Sequence, residues 1–519
     1  MKTRLLLVLC LMFTTAWAGF PYAEATITGL QEQMKSGKLT SAALTTAYLA
    51  RIAEMDQAGP KLNAIIELNP DALAIAQQRD AERKTGIVRG PLHGIPILIK
   101  DNIGTADKME TTAGSLALVG ARPPHDAAIV TQLRAAGAVI LGKTNLSEWA
   151  NFRGEKSISG WSGRGGQTHN PYALDRNASG SSSGSAAAVA ANLCVVAVGS
   201  ETDGSIVSPA SVCGLVGIKP TIGLVSRTGI IPISASQDTA GPLARTVRDA
   251  ALLLEAMAAT DPRDAVTLSR PKGFATDFSA QLKPGAMKGA RLGVIRGPFG
   301  LDARLKPLLD AVIEKMMAAG AEIVELGEFP DFNKANDPEM EVLLYEYKDG
   351  LNAYFATLGP TSPIKTLAEV IAFNEAHATQ ELASFGQELM ERAQAKGPLT
   401  EQAYLDARAT CLKVTRAEGI DALLAKHKVD ALVSLTNGTA WLTDPINGDA
   451  YTGGSSSPAA VAGYPSVTVP AGEYHGLPVG ISFYGAAWTE ARLLALAADF
   501  EAATKARRAP ELPATLNVN

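Results

Sequence analysis

The 519-residue chain carries 47 Lys and Arg against 52 Asp and Glu, a formal charge of −5. That balance leaves no basic surplus with which to hold nucleic acid or another polyanion. Hydrophobic residues make up 46% and charged residues 19%, which supports a large buried core and excludes a chain disordered throughout.

The first predicted element is a leader. Lys2 and Arg4 precede an apolar run from Leu5 to Phe13, and Ala16, Trp17 and Ala18 form a small-residue cleavage site, the pattern of a secretory signal. The run is about half the roughly 20 residues needed to cross a bilayer. Residues 1–18 are therefore expected to be a signal peptide. The mature chain 19–519 is expected to be exported to the periplasm or medium, with no membrane association after cleavage and a charge of −7 once Lys2 and Arg4 are lost. The alternative is a hydrophobic N-terminal helix that stays attached. Cys10 lies in the leader, leaving Cys194, Cys213 and Cys411, an odd number that cannot all pair internally. The apolar settings of Cys194 and Cys213 suit small core residues, and a disulfide between them is left open.

The mature chain opens with helices. Leu44, Leu49, Ile52 and Met55 recur at helical spacing after Ser41, and a second alanine-rich stretch runs from Asp71 to Arg83. Apolar runs of strand length follow at Ile95–Ile99, Ala138–Leu141, Val195–Val198, Leu292–Ile295, Ala431–Leu435, Val467–Val469 and Val479–Phe483. Helical patterns lie between many of them, at 126–136, 185–191, 246–257, 305–319 and 489–504. This alternation predicts an α/β fold whose sheet is covered by helices on both faces. A Pro- and Gly-bearing stretch from Asp261 to Gly289 precedes a more charged, more helical segment. Residues of about 291–428 are therefore expected to form a helical excursion within one domain spanning 19–519. The tail after Ala506 carries Pro510 and Pro513 and reads as an extended surface segment.

Serine and glycine crowd together between Asn177 and Lys219, in ASGSSSGSAAAVA and then GSETDGSIVSPASVCGLVGIKPT. Small residues let amide N–H groups and hydroxyls converge on one point, as a nucleophile beside an oxyanion hole requires. A flexible linker is the plainer reading, but apolar helix-like and strand-like runs interrupt the segment. Gly180 to Gly184 spell GxSxG, the nucleophile elbow of an esterase with Ser182 as nucleophile. That motif needs a buried strand before it, and NPYALDRNAS is polar and turn-like. No histidine among His377, His427 and His475 has local sequence that marks it as a catalytic base. Lys100, at the end of the apolar run IPILIK, is the better candidate, since a lysine losing hydration there has its pKa pulled toward neutrality. Pairing with Asp101, or reaching out to water, are the alternatives for it.

Taken together, PLHGIPILIKDN, the Ser/Gly segment, GSETDGSIVSPASVCGLVGIKPT, AGAVILGKTNLSEWANF and SQDTAGPLARTVRDAA resemble the amidase signature family. The resemblance runs through most of the mature chain and is strongest from Pro91 to Ala250. It implies a large mixed β-sheet covered by helices on both faces. It also implies a Ser-cisSer-Lys triad, which falls on Lys100, Ser181 and Ser205, the two serines lying 24 residues apart. Lys100 would accept a proton through Ser181, and Ser205 would attack the amide carbonyl. Backbone N–H groups of Thr202, Asp203, Gly204 and Ser205 would surround the oxyanion. No metal, nucleotide or organic cofactor is implied.

Two departures from the commoner family pattern stand out. Asp203 replaces a glycine just before Gly204, and Val207 replaces a cation. A carboxylate there would disfavour an anionic substrate end and tolerate a neutral carboxamide or a cation. Holding the loop through backbone bonds is an equal alternative for Asp203. The variant with ETDGSIV, SRTGIIPIS, NFRG, SGW and RGGQT resembles the peptide-amidase branch, which removes the C-terminal carboxamide of peptides and releases ammonia. The expected partners are a small-molecule or peptide amide and water, with no nucleic acid, and the expected state is a monomer. Small aliphatic or aryl amides are an alternative substrate class, and a non-catalytic exported solute-binding protein is a rival reading.

Overall fold

The computed structural model describes residues 19–297, 302–360 and 362–516, so the expected signal peptide lies outside the described residues. An eleven-stranded mixed sheet organises the chain. Its strands are β1 (Ile65–Leu68), β2 (Pro96–Lys100), β3 (Val139–Thr144), β4 (Val196–Glu201), β5 (Val216–Lys219) and β6 (Thr239–Ala244). They continue with β7 (Arg291–Gly297), β8 (Glu322–Glu328), β9 (Ala431–Leu435), β10 (Ser466–Tyr474) and β11 (Leu477–Tyr484). Across the sheet they run β1-β3-β2-β4-β6-β5-β10-β11-β9-β7-β8. Strands β3, β2 and β4 are mutually parallel, as are β9, β7 and β8 at the other end, and the stretch between them is antiparallel.

The central strands open with apolar residues, end in polar ones, and are buried on both faces, as parallel strands covered by helices must be. Ile97, Leu98 and Ile99 pair with Val196, Ala197 and Val198. This register carries Lys100, the last residue of β2, to the end of β4. The carboxyl ends of parallel strands are where open α/β sheets leave a crevice for ligands. Helix α1 (Ser183–Ala190) is built almost entirely of Ser, Gly and Ala because it is fully buried. A Cβ at its Gly184 would collide with the carbonyl groups of Ala64 and Asn145.

Four strands lie outside the apolar runs. β6 reads TAGPLA, with little β-propensity. Its Gly241 is required because a Cβ there would strike the carbonyl of Ile218 on the neighbouring strand. β8 reads EIVELGE at the sheet edge, where most side chains are exposed and the pattern carries no buried face. The expected excursion at 291–428 therefore divides. Its first part, β7, a helix at Lys306–Ala318 and β8, extends the main sheet, and the part from Asn333 to His427 is helical and adds no strand to it. That part begins with α2 (Asn333–Thr357), which buries Tyr347, Leu351 and Phe355 against Trp149, Leu118 and Met390. Among the described residues no helix is long and apolar enough to cross a membrane. Cys194, Cys213 and Cys411 are buried free thiols.

Candidate active site

Lys100 is fully buried, and its Nζ makes hydrogen bonds to Ser181 Oγ at 2.7 Å, Ser200 Oγ at 3.0 Å and the Ser200 carbonyl at 3.1 Å. Asn102 Nδ2 donates to the same Ser200 hydroxyl at 2.9 Å. Burial pulls the Lys100 ammonium down to about 7, against the opposing charges of Asp238 and Glu201. Pairing with Asp101 does not occur. That carboxylate turns to the Thr112 hydroxyl at 2.5 Å and to the amides of Thr112 and Gly114.

Ser181 stands at the start of α1, after a cis peptide bond to Gly180. Its carbonyl accepts from the Ser147 amide at 3.1 Å. The next amide, Ser182 N–H, donates to the Ser205 carbonyl at 3.1 Å, tying the two serine segments side by side. Ser182 itself is fully buried, with its hydroxyl donating to the Ser200 carbonyl at 3.0 Å and accepting from the Ser200 amide at 3.2 Å. It is a stitch between α1 and β4 and faces no histidine. The structure thus gives no support to Ser182 as an esterase nucleophile.

Ser205 is 8% exposed and lies in the turn from β4 into the short helix Val207–Val212. Gly204 takes φ = +76°, a conformation that a side chain at this position would strain. Three side chains brace the turn. Glu201 Oε2 accepts from the amides of Ile206 at 2.7 Å and Val207 at 3.0 Å. The Thr202 hydroxyl donates to Asp238 at 2.6 Å, and the Ser456 hydroxyl donates to Asp203 at 2.6 Å. Outside the sheet ladder, none of the backbone N–H groups of residues 202–205 donates to a protein acceptor among the described residues. Buried donors left without partners are costly, so these amides are available to an acceptor outside the protein.

Glu201 and Asp203 share the charge of one buried cation, Lys219. Burial raises the carboxyls of Glu201 and Asp203, and the charge of Lys219 opposes both shifts. Lys219 is fully buried and is itself pulled down to about 8 by desolvation, while Glu201, Glu490 and Asp203 raise it. Asp238 is pushed up to about 6 by burial.

Two cavities flank the turn. One of about 390 Å³ is lined by Asn102, Ser200, Thr202, Ile231 and Tyr354. The other, of about 320 Å³, is lined by Asn151, Phe152, Asp203, Glu339 and Leu389. Helix α2 reaches both, through Tyr354 in the first and Glu339 in the second. The structure therefore gathers Lys100, Ser181, Ser205 and the 202–205 backbone at one end of β2 and β4. Sequence reasoning missed Asn102, Ser200 and Asp238 as partners of this group. Ser200 was signalled only by its place one strand register from Lys100, and Asp238 by no local pattern.

An amidase family model matches residues 43–494. A probable amidase of Arabidopsis thaliana is 41% identical over 504 residues, covering 95% of this chain and 92% of that protein. A putative amidase of Arthroderma benhamiae is 39% identical over 502 residues, covering 92% of this chain and 81% of that protein. The crystal structure of native peptide amidase from Stenotrophomonas maltophilia superposes with a TM-score of 0.91 at 54% identity, covering 95% of this chain and 99% of that one. The sheet, the family match and these likenesses agree: the chain belongs to the amidase signature family and is an amide hydrolase.

Proposed function

We propose that this amidase hydrolyses the C-terminal carboxamide of peptides, giving the free acid and ammonia. The observation that carries the chemistry is the 2.7 Å contact between the fully buried Lys100 and Ser181, beside Ser205 and the backbone amides of residues 202–205. Likeness to the peptide amidase of Stenotrophomonas maltophilia supports the substrate class.

In this reading Ser205 Oγ attacks the carboxamide carbon, its proton passes to Ser181 Oγ, and the Ser181 proton passes to neutral Lys100. The carbonyl oxygen becomes an oxyanion held by N–H groups of Thr202, Asp203, Gly204 and Ser205. As the tetrahedral intermediate collapses, Lys100 returns its proton through Ser181 to the leaving nitrogen. Ammonia departs and the acyl group remains on Ser205. Water then attacks the ester with the same relay, and the peptide acid is released. Asp203 beside the reacting centre disfavours an anionic substrate end, consistent with a substrate that ends in a neutral carboxamide. Export of residues 19–519 and a monomeric state belong to the same proposal. N-terminal sequencing of the protein recovered outside the cytoplasm, beginning at Gly19, tests the first.

The experiment is to follow ammonia release and product mass from a short peptide amide, with the corresponding peptide acid as control and Ser205→Ala beside the unmodified protein. Ammonia from the amide alone, absent in the variant, is expected. Turnover of simple aryl or aliphatic amides without the peptide amide would overturn the substrate class and leave the triad in place.

A further inference from the structure

The smaller of the two cavities has an unbalanced charge. Asp203 and Glu339 both line it, one on the turn before Ser205 and the other on α2. Glu155 also lines it, but its side chain is exposed and already paired with Arg392 at 2.8 Å. No Lys, Arg or His is among the lining residues.

Glu339 is about nine-tenths buried. One of its carboxylate oxygens accepts from Gln237 Nε2 at 2.9 Å. The other has no hydrogen-bond partner among the described residues, and Glu339 lines the cavity. Asp203 accepts from the Ser456 hydroxyl, and Lys219 acts on it only through charge, which is shared with Glu201 and Glu490. Burial and the nearby charge of Asp203 push the Glu339 carboxyl up to about 8. Without a cation the pair is relieved by holding a proton. Phe152, Met340, Leu343 and Leu389 supply the apolar part of the wall, and Asn151, Ser157 and Asn336 supply neutral polar groups. An aliphatic stem with a charged head suits such a mixture, because the stem covers apolar surface while the head meets the carboxylates.

We propose that the cavity between Asp203 and Glu339 binds a positively charged group of the substrate, a protonated amine or guanidinium close to the carboxamide. The proposal rests on the peptide-amide reading above and narrows its substrate class. The charge comes either from a basic side chain on the C-terminal residue or from the free α-ammonium of a short peptide amide.

The test compares kcat/KM for N-acetyl-lysinamide with that for N-acetyl-norleucinamide, which matches its stem and lacks the charge, and for alanyl-alaninamide with its N-acetylated form. The unmodified protein is expected to favour the charged member of at least one pair by about tenfold, mostly through KM. Which pair responds identifies the source of the charge. Glu339→Gln, which keeps the shape and the Gln237 contact, is expected to reduce that ratio to near one. Turnover of all four amides without charge preference would overturn the proposal and leave the peptide-amide reading standing. Turnover of simple amides but none of these four would overturn the peptide-amide reading and the proposal with it. A preference that survives unchanged in Glu339→Gln would also overturn the proposal, and the unmodified protein decides the matter should that variant fail to fold.

Discussion

The floor of the site and the helix that roofs it are built on different terms. The floor, at the ends of β2 and β4, is made of residues with almost no freedom: Lys100 has three polar contacts, Ser182 is pinned to Ser200, and Glu201 holds two amides of the reacting turn. The roof is α2, a 25-residue helix fastened by aromatic packing, with Phe355 edge-on to Trp149 at 6.3 Å and Tyr347 edge-on to Phe152 at 5.1 Å. Short hydrogen-bonded contacts fix reacting atoms to a fraction of an ångström, whereas apolar packing sets only where a wall stands. The contrast predicts that changes in the floor alter the chemical step and changes in the roof alter which substrate enters.

The largest effect is expected at the proposed nucleophile. Ser205→Ala should lower kcat by on the order of 10⁴-fold or more, and adding Lys100→Ala should lower it little further, because the members of a relay act as a unit. A double variant much worse than either single one would break the floor into independent parts. Next is Glu201→Ala, which frees the amides of Ile206 and Val207 and unpins the turn. A loss on the order of 10²-fold in kcat is expected, the scale of one misplaced oxyanion donor, read by steady-state kinetics on one neutral amide.

The pH profile sharpens the same comparison. The charged form of Lys100 is disfavoured by burial, so its working neutral form is depleted as pH falls through about 7. kcat/KM should therefore rise with pH through that region and fall toward acid. Ser200→Ala removes an acceptor that stabilises the ammonium, so its acid limb should move to lower pH, with activity kept within about tenfold. A limb that moves up would contradict the hydrogen-bonding arrangement. The smallest effect on chemistry belongs to the roof. Phe355→Leu should cost about 1 kcal/mol of stability, seen as a lower Tm, and leave the acid limb in place.

Much of the floor was legible in sequence because its chemistry is concentrated in short segments. Lys100 closes an apolar run, and Ser181 and Ser205 sit in Ser/Gly stretches whose small residues are demanded by close backbone approach, as at Gly184. Ser200, Asn102 and Asp238 escaped notice because their roles come from strand register and a distant loop. The fold followed a similar division. Strands with continuous apolar character were readable, while β6 hides behind Gly241 and Pro242, and β8 at the edge looks like an amphipathic polar stretch. Glu339 could not be singled out at all, since nothing in NKANDPEMEVLL separates it from its acidic neighbours until α2 is laid across the site.

The proposed chemistry turns on the identity of the attacking serine. The decisive measurement is to treat the protein with an acylating or phosphonylating serine reagent, digest it and locate the adduct by mass spectrometry. The account predicts one adduct, on Ser205, formed faster as pH rises through about 7 and abolished in Lys100→Ala. An adduct on Ser182, or on Ser205 at an unchanged rate without Lys100, would contradict it.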